Sequence, residues 1–292
     1  MPVSGVGGER AGPQQAPQRA ATVSPGFARN RQPSTVNITI TITITITITI
    51  TTRQQRSTVD IAGKKAIVLG GTSGIGLATT MRLAAMGAEV VAVSRDPSRA
   101  GNLPAGVSTR ACDVLDREGL EALFAACAPY DILVSAATGG DRAIGPFTEM
   151  DMDGFAGSFR KVWGYANVIR YGAAHLPEDG TIVLVSGSPA RRGRPGLAAV
   201  GAAGAAVETL VRYVAVEIAP KRINVVAPGV IDTPMLPLQG EARAKAYERS
   251  TKTNLLPRAG TADEVAQAIM FVIQNDFVTG TTVDVDGGWL LT

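Results

Sequence analysis

From Val59 onward, short apolar runs alternate with longer segments in which Ala and Leu recur at helical spacing. The runs are Ala66–Leu69, Val90–Val93, Val107–Ala111, Ile132–Ser135, Thr181–Ser186, Arg222–Val226 and Thr282–Val285. They are short and rich in β-branched residues, and several are apolar at successive positions. That pattern predicts strands buried on both faces. Between them, Ile75–Met86, Leu120–Ala126, Phe155–His175, Leu197–Ile218 and Ala262–Ile273 are predicted helices. Strand and helix in strict alternation predict an α/β fold of the Rossmann type. Its doubly wound parallel sheet carries helices on both faces within a single domain, residues 59–292. Ligands of such sheets bind beyond the C-terminal ends of the strands.

The first 58 residues read differently. Residues 1–36 mix Gly, Pro, Gln, Arg and Ala, a composition that predicts disorder. Residues 38–51 are a strict Ile/Thr alternation, which is a strand pattern with no turn to fold it. It reads as a self-associating strand or as a low-complexity tail, a translated repeat upstream of the true start; the second is preferred. This segment holds six Arg and one acid, so the excess of positive charge behind the pI of about 9.0 belongs to it. The remainder is slightly acidic, which argues against a nucleic-acid partner. The tail is Arg-rich and acid-poor like a transit peptide, but its Pro and Gly interrupt any amphipathic helix. Two cysteines and one histidine exclude a disulfide framework and a His-rich metal site, so no metal is expected. No apolar run reaches the roughly 18 residues of a membrane helix, and a cytoplasmic location is expected.

Ala66–Leu69 runs directly into Gly70-Gly71-Thr72-Ser73-Gly74-Ile75-Gly76, and a helical pattern begins at once. Glycine removes the Cβ that would obstruct a tight turn and a close pyrophosphate. The following helix start offers free N–H groups and a positive dipole end to phosphates. Strand before and helix after make this a dinucleotide site. An NAD site usually places an acid at the end of the next strand, where Ser94 and Arg95 stand instead. Arg95 can pair with a 2′-phosphate, so NADP(H) is the expected cofactor and NAD(H) the other one the turn accommodates. Asp113 and Val114 end the third strand, where an acid and backbone could meet the adenine; capping is the alternative for Asp113.

These residues, in this order, resemble the short-chain dehydrogenase/reductase family. The resemblance spans about Val59 to Thr292 and includes Asn224-Val225-Val226-Ala227-Pro228-Gly229-Val230-Ile231-Asp232-Thr233-Pro234 and Thr279-Gly280 through Trp289. It implies that Pro228, Gly229, Ile231 and Thr233 line the nicotinamide end, and that Ala136, after the fourth strand, borders the cofactor. It also implies a homodimer or homotetramer built on the two long helices.

Family reductases use a Tyr and, four residues later, a Lys to protonate the carbonyl oxygen. A Ser about thirteen residues before the Tyr orients the carbonyl, and an Asn on the preceding helix holds a relay water. The matching helix here reads Val200-Gly201-Ala202-Ala203-Gly204, which puts Val200 and Gly204 at the Tyr and Lys positions. The Ser count lands on Gly187, flanked by Ser186 and Ser188, and Lys161 stands at the Asn position. Lys161, Ser186 and Ser188 are therefore the candidate catalytic residues, with Lys161 as proton donor or electrostatic stabiliser. Arg191, Arg192 and Arg194 could receive an anionic group on a small-molecule substrate. The expected function is an NADP(H)-dependent oxidoreductase interconverting a carbonyl and an alcohol with a non-standard proton donor. An inactive NADP(H)-binding regulator, or a non-redox cyclase or isomerase on the same scaffold, are the alternatives.

Overall fold

Val, Ile and Leu dominate the central strands of the computed structural model, which describes residues 58–138 and 142–292, while the edge strands are more polar. They are β1 (Lys65–Leu69), β2 (Glu89–Ser94), β3 (Val107–Ala111), β4 (Ile132–Ser135), β5 (Thr181–Val185), β6 (Arg222–Pro228), β7 (Ile231–Asp232), β8 (Gly260–Thr261) and β9 (Thr282–Val285). The helices are α1 (Gly74–Ala85), α2 (Arg117–Cys127), α3 (Met152–Gly172), α4 (Ala198–Glu217), α5 (Gly240–Thr251) and α6 (Ala262–Gln274). Seven strands pair in parallel in the order β3-β2-β1-β4-β5-β6-β9, and β7 pairs with β8 apart from them. The chain builds outward from β1 to β3, then returns to the other side of β1 with β4. That reversal opens the crevice above the C-terminal end of β1.

Alternation along each strand divides the core in two. Ile67, Leu69, Val91, Val93, Leu133, Ile182 and Leu184 point to the face covered by α2, α3 and α4, where Phe124, Val168 and Val207 meet them. Ala66, Val68, Val90, Val134 and Val183 point to the opposite face, against Leu83 of α1 and Val265, Ile269 and Val272 of α6. Both faces are covered, as the apolar runs predict. The expectations for residues 1–57, including the Ile/Thr run, lie outside the described residues.

Three local features depart from the sequence reading. The helix α3 starts at Met152, ahead of the expected Phe155, because Asp151 accepts the N–H groups of Asp153 and Gly154. Helix α5 has no counterpart among the expected helices; only its Thr251 is buried, so it carries no apolar stripe. By length and composition alone α4 could cross a membrane, but its Ala199, Ala203, Val207 and Val211 are buried in this fold.

Arg222 ties the sheet to the end of α6. It is buried, and its guanidinium donates to the carbonyls of Val272 (2.7 Å), Ile273 (2.8 Å), Val278 (3.0 Å) and Asn275 (3.1 Å). These carbonyls at and beyond the helix end lack intrahelical partners, and the cation also complements the dipole. Arg222→Met should cost about 3–5 kcal/mol by chemical denaturation, the cost of breaking a buried charged network. A loss below about 1 kcal/mol would show that water replaces the guanidinium there.

Candidate active site

The glycines of the turn after β1 are demanded by close backbone. Gly70 has φ +77°, and a Cβ there would lie 3.0 Å from the backbone of Ala136 and Ala137 at the end of β4. Gly76 is tighter still, since its Cβ would lie 2.1 Å from the carbonyl oxygen of Gly70. Gly74, with φ +50°, faces Thr233 at 3.5 Å, so the segment after β6 lies over the turn. Ser73 is the N-cap of α1, yet its side chain caps nothing, and no acid stands in the first turn. Its hydroxyl and the first N–H groups of α1 are free for a phosphate. Thr72 is buried beside them.

Two orphaned hydroxyls mark the rest of this cleft. Ser94 Oγ, at the end of β2, and Ser135 Oγ, at the end of β4, are buried without a hydrogen-bond partner. Buried polar atoms in that condition call for a ligand or water. Arg95 beside Ser94 is exposed, while the next acid, Asp96, is engaged with Ser98 N–H at 3.2 Å. These features fit a dinucleotide. Asp113 is already a cap: its carboxylate accepts Leu115 N–H at 2.9 Å. The carbonyl of Val114 accepts from Asn167 at 3.1 Å. Asp113 caps through Oδ1, while Oδ2 accepts nothing among the described residues, so the cap is compatible with an adenine contact.

The candidate catalytic residues gather at the end of β5. Lys161 Nζ, partly buried, donates to the Ser186 carbonyl at 3.0 Å, and Tyr165 Oη one turn further along α3 donates to the Val185 carbonyl at 2.8 Å. Burial, aided by the positive charge of Arg142, brings the Lys161 ammonium down to about 8, with Glu208 acting in the opposite direction. Ser186 Oγ donates to the Gly204 carbonyl at 3.3 Å, whereas Ser188 Oγ is fully buried and unpartnered. Gly187 has ordinary clearance for a side chain, its nearest neighbour being Pro189 at 3.6 Å. A Cβ at Gly204 would lie 3.0 Å from Ala190 and 3.2 Å from Ser186 Oγ. Helix α4 contains no lysine.

The arginine cluster does not face this opening unengaged. Arg191 pairs with Asp284 on β9 and, at 3.2 Å, with the buried Glu208. Burial pushes the Glu208 carboxyl up and Arg191 opposes it. Arg192 and Arg194 stack on Trp289, with guanidinium carbons 5.6 and 4.5 Å from the ring centre, and both reach Thr292. Tyr165 is buried in the core, whereas Trp163 is exposed beside Val162, Ala166 and Ala206. His175 caps nothing among the described contacts; its ring lies against Tyr130.

Sequence reasoning did not find Arg142, which extends from the loop after β4 to the Met235 thioether at 3.0 Å. It also did not find Arg243 and Tyr247 on α5. Arg243 holds Asp232 and the Thr233 carbonyl (2.8 Å), and Tyr247 Oη accepts Thr233 N–H at 3.4 Å. Together they order the Pro228–Thr233 segment, where a Cβ at Gly229 would lie 2.8 Å from Asp286 and the half-buried Ile231 pairs with Gly260.

A family model described as enoyl-(acyl carrier protein) reductase matches residues 70–290. The L-xylulose reductase of Bos taurus is 33% identical over 247 residues, covering 80% of this chain and 98% of that protein. A small-chain dehydrogenase solved in complex with NADPH is 28% identical with a TM-score of 0.69, covering 79% of this chain and 100% of that one. The reductase/Diels-Alderase MalC of Malbranchea aurantiaca is 25% identical with a TM-score of 0.70, covering 80% and 98%. The chain belongs to the short-chain dehydrogenase/reductase family.

Proposed function

We propose that this chain is an NADP(H)-dependent oxidoreductase that interconverts a carbonyl and an alcohol on a small organic substrate, with Lys161 as its proton donor. One observation carries the reading: Lys161 Nζ lies 3.0 Å from the carbonyl of Ser186, at the strand end where the chemistry of this fold occurs. Val200 and Gly204 stand where the family's Tyr and Lys are expected, so α4 places no proton donor at either position.

The bound nicotinamide supplies or accepts hydride. Gly70, Thr72, Ser73, Gly74, Ile75 and Gly76 cradle the pyrophosphate, Ser94 and Arg95 hold the 2′-phosphate, and Ala136 with the main chain at Val114 borders the adenosine half. Pro228, Gly229, Ile231 and Thr233 orient the other end. Ser188 Oγ, buried and unpartnered, steadies the substrate oxygen, and Ser186 holds Lys161 through its carbonyl. Lys161 gives its proton to that oxygen during reduction and recovers one during oxidation.

Mixing the purified chain with NADPH and a diverse carbonyl panel should oxidise NADPH, followed by absorbance. Tight NADPH binding without oxidation across the panel overturns the reading. Arg95→Glu should weaken NADPH binding by roughly 10- to 100-fold, the worth of charge-assisted hydrogen bonds, with little effect on NADH. Equal effects on both cofactors would remove Arg95 from the 2′-phosphate site.

A second reading has a specific observation behind it. MalC is named for both a reduction and a cycloaddition. A cyclase that keeps its cofactor unchanged would form product with constant NADPH absorbance. The apolar groove of Val162, Trp163, Ala166, Ala205, Ala206 and Leu210 between α3 and α4 supports pairing of two copies there.

A further inference from the structure

The loop after β4 is fastened to α3. Ala143 N–H donates to Ser158 Oγ at 2.9 Å, and a Cβ at Gly154 would be 3.5 Å from the Ala143 methyl. Lys161 is three residues beyond Ser158, so it follows on the same face of α3. Arg142, next to Ala143, sends its guanidinium to Met235, just past Thr233 and Pro234. In the sheet, β4 and β6 flank β5. Arg142 therefore joins the two walls of the cleft, and Lys161 holds the end of β5 between them.

Two cations thus share this opening, and among the described residues neither forms an ion pair. Lys161 is partly buried, where a cation requires a counter-charge, and beside it Arg142 presents its guanidinium from an exposed position. The Met235 thioether is a weak acceptor and leaves most of the five guanidinium donors unused. The buried Glu208 is held by Arg191, and Arg192 and Arg194 are committed to Trp289 and Thr292. We infer, resting on the carbonyl site proposed at Lys161, that the substrate carries an oxyanion, a carboxylate or a phosphate, received in the fork of Arg142. Arg forks match both groups bidentately. Met235 acts as a placeholder that the oxyanion displaces.

The test is calorimetric titration of the NADPH-saturated full chain. The probes are acetoacetate against its methyl ester, and dihydroxyacetone phosphate against dihydroxyacetone. At least one anion should bind tenfold or more tightly than its neutral partner, and the tighter anion identifies carboxylate or phosphate. Arg142→Met should erase that advantage by roughly 10- to 100-fold, and Arg142→Lys should restore part of it. Equal binding of anion and neutral partner, no binding of either anion, or an advantage that survives in Arg142→Met overturns the inference. The outcome separates from that for hydride transfer. Oxidation of NADPH by neutral carbonyls without anion preference removes the oxyanion site alone. Anion binding that depends on Arg142, with no NADPH oxidation, removes the redox reading alone.

Discussion

Lys161→Met should lower carbonyl reduction by about 100- to 10,000-fold, the usual contribution of a positioned general acid. Met fills nearly the volume of the lysine stem, so packing under β5 survives and the loss reports on the proton. NADPH affinity should change far less than kcat. The pH profile supplies an independent readout. Burial and Arg142 bring the Lys161 ammonium down to about 8. Reduction needs the protonated form, so its kcat/KM should be flat below about pH 8 and fall above it. Alcohol oxidation needs the neutral amine and should rise through the same range to a plateau. Both limbs should vanish in Lys161→Met. A variant that keeps wild-type turnover, or keeps the limb near pH 8, would falsify the assignment of the proton to Lys161.

The parts of this molecule that can be read from sequence are those governed by local rules. Ile67 and Leu69 alternate with Ala66 and Val68 because the strand has two faces, and both faces are buried. An apolar run therefore announces β1, and the glycines after it announce the turn, because Gly70 and Gly76 answer to contacts within a few residues or at the neighbouring strand. Helix α5 leaves no such trace. Its Gly240–Thr251 segment is rich in Ala, Glu, Lys and Arg and buries only Thr251, so periodicity has nothing to detect; helix propensity alone could have found it. The arginine cluster is visible in sequence, but its partners are not. Asp284 lies 93 residues from Arg191, and Trp289 is brought beside Arg192 and Arg194 only by the return of β9 to the sheet edge. Arg142 is the mirror case: a single arginine in an unpatterned loop, given a role by Met235, 93 residues away. Charge composition shows how many cations a chain has, whereas topology decides which remain unneutralised.

Gly76→Ala should weaken NADPH binding by at least about 100-fold, well beyond the loss of a single hydrogen bond. The added Cβ would stand 2.1 Å from the Gly70 oxygen and 2.6 Å from its carbonyl carbon, both backbone atoms. The turn has little freedom to retreat. Gly70 N–H donates to Val93 at 2.8 Å, Gly71 N–H to Val68 and Val93 at 3.1 Å, and Thr80 Oγ1 to the Gly71 carbonyl at 3.1 Å. Relief must come from moving the start of α1 away from β1, which withdraws the N–H groups proposed to meet the phosphates. A glycine in open space provides the contrast. Gly157 in α3 has nothing within 4 Å of its would-be Cβ, so Gly157→Ala should raise stability by about 0.5–1 kcal/mol through helix propensity. Fluorescence titration with NADPH and chemical denaturation of both variants measure the two effects. Near wild-type NADPH affinity in folded Gly76→Ala would mean that the phosphates are held elsewhere than on this turn.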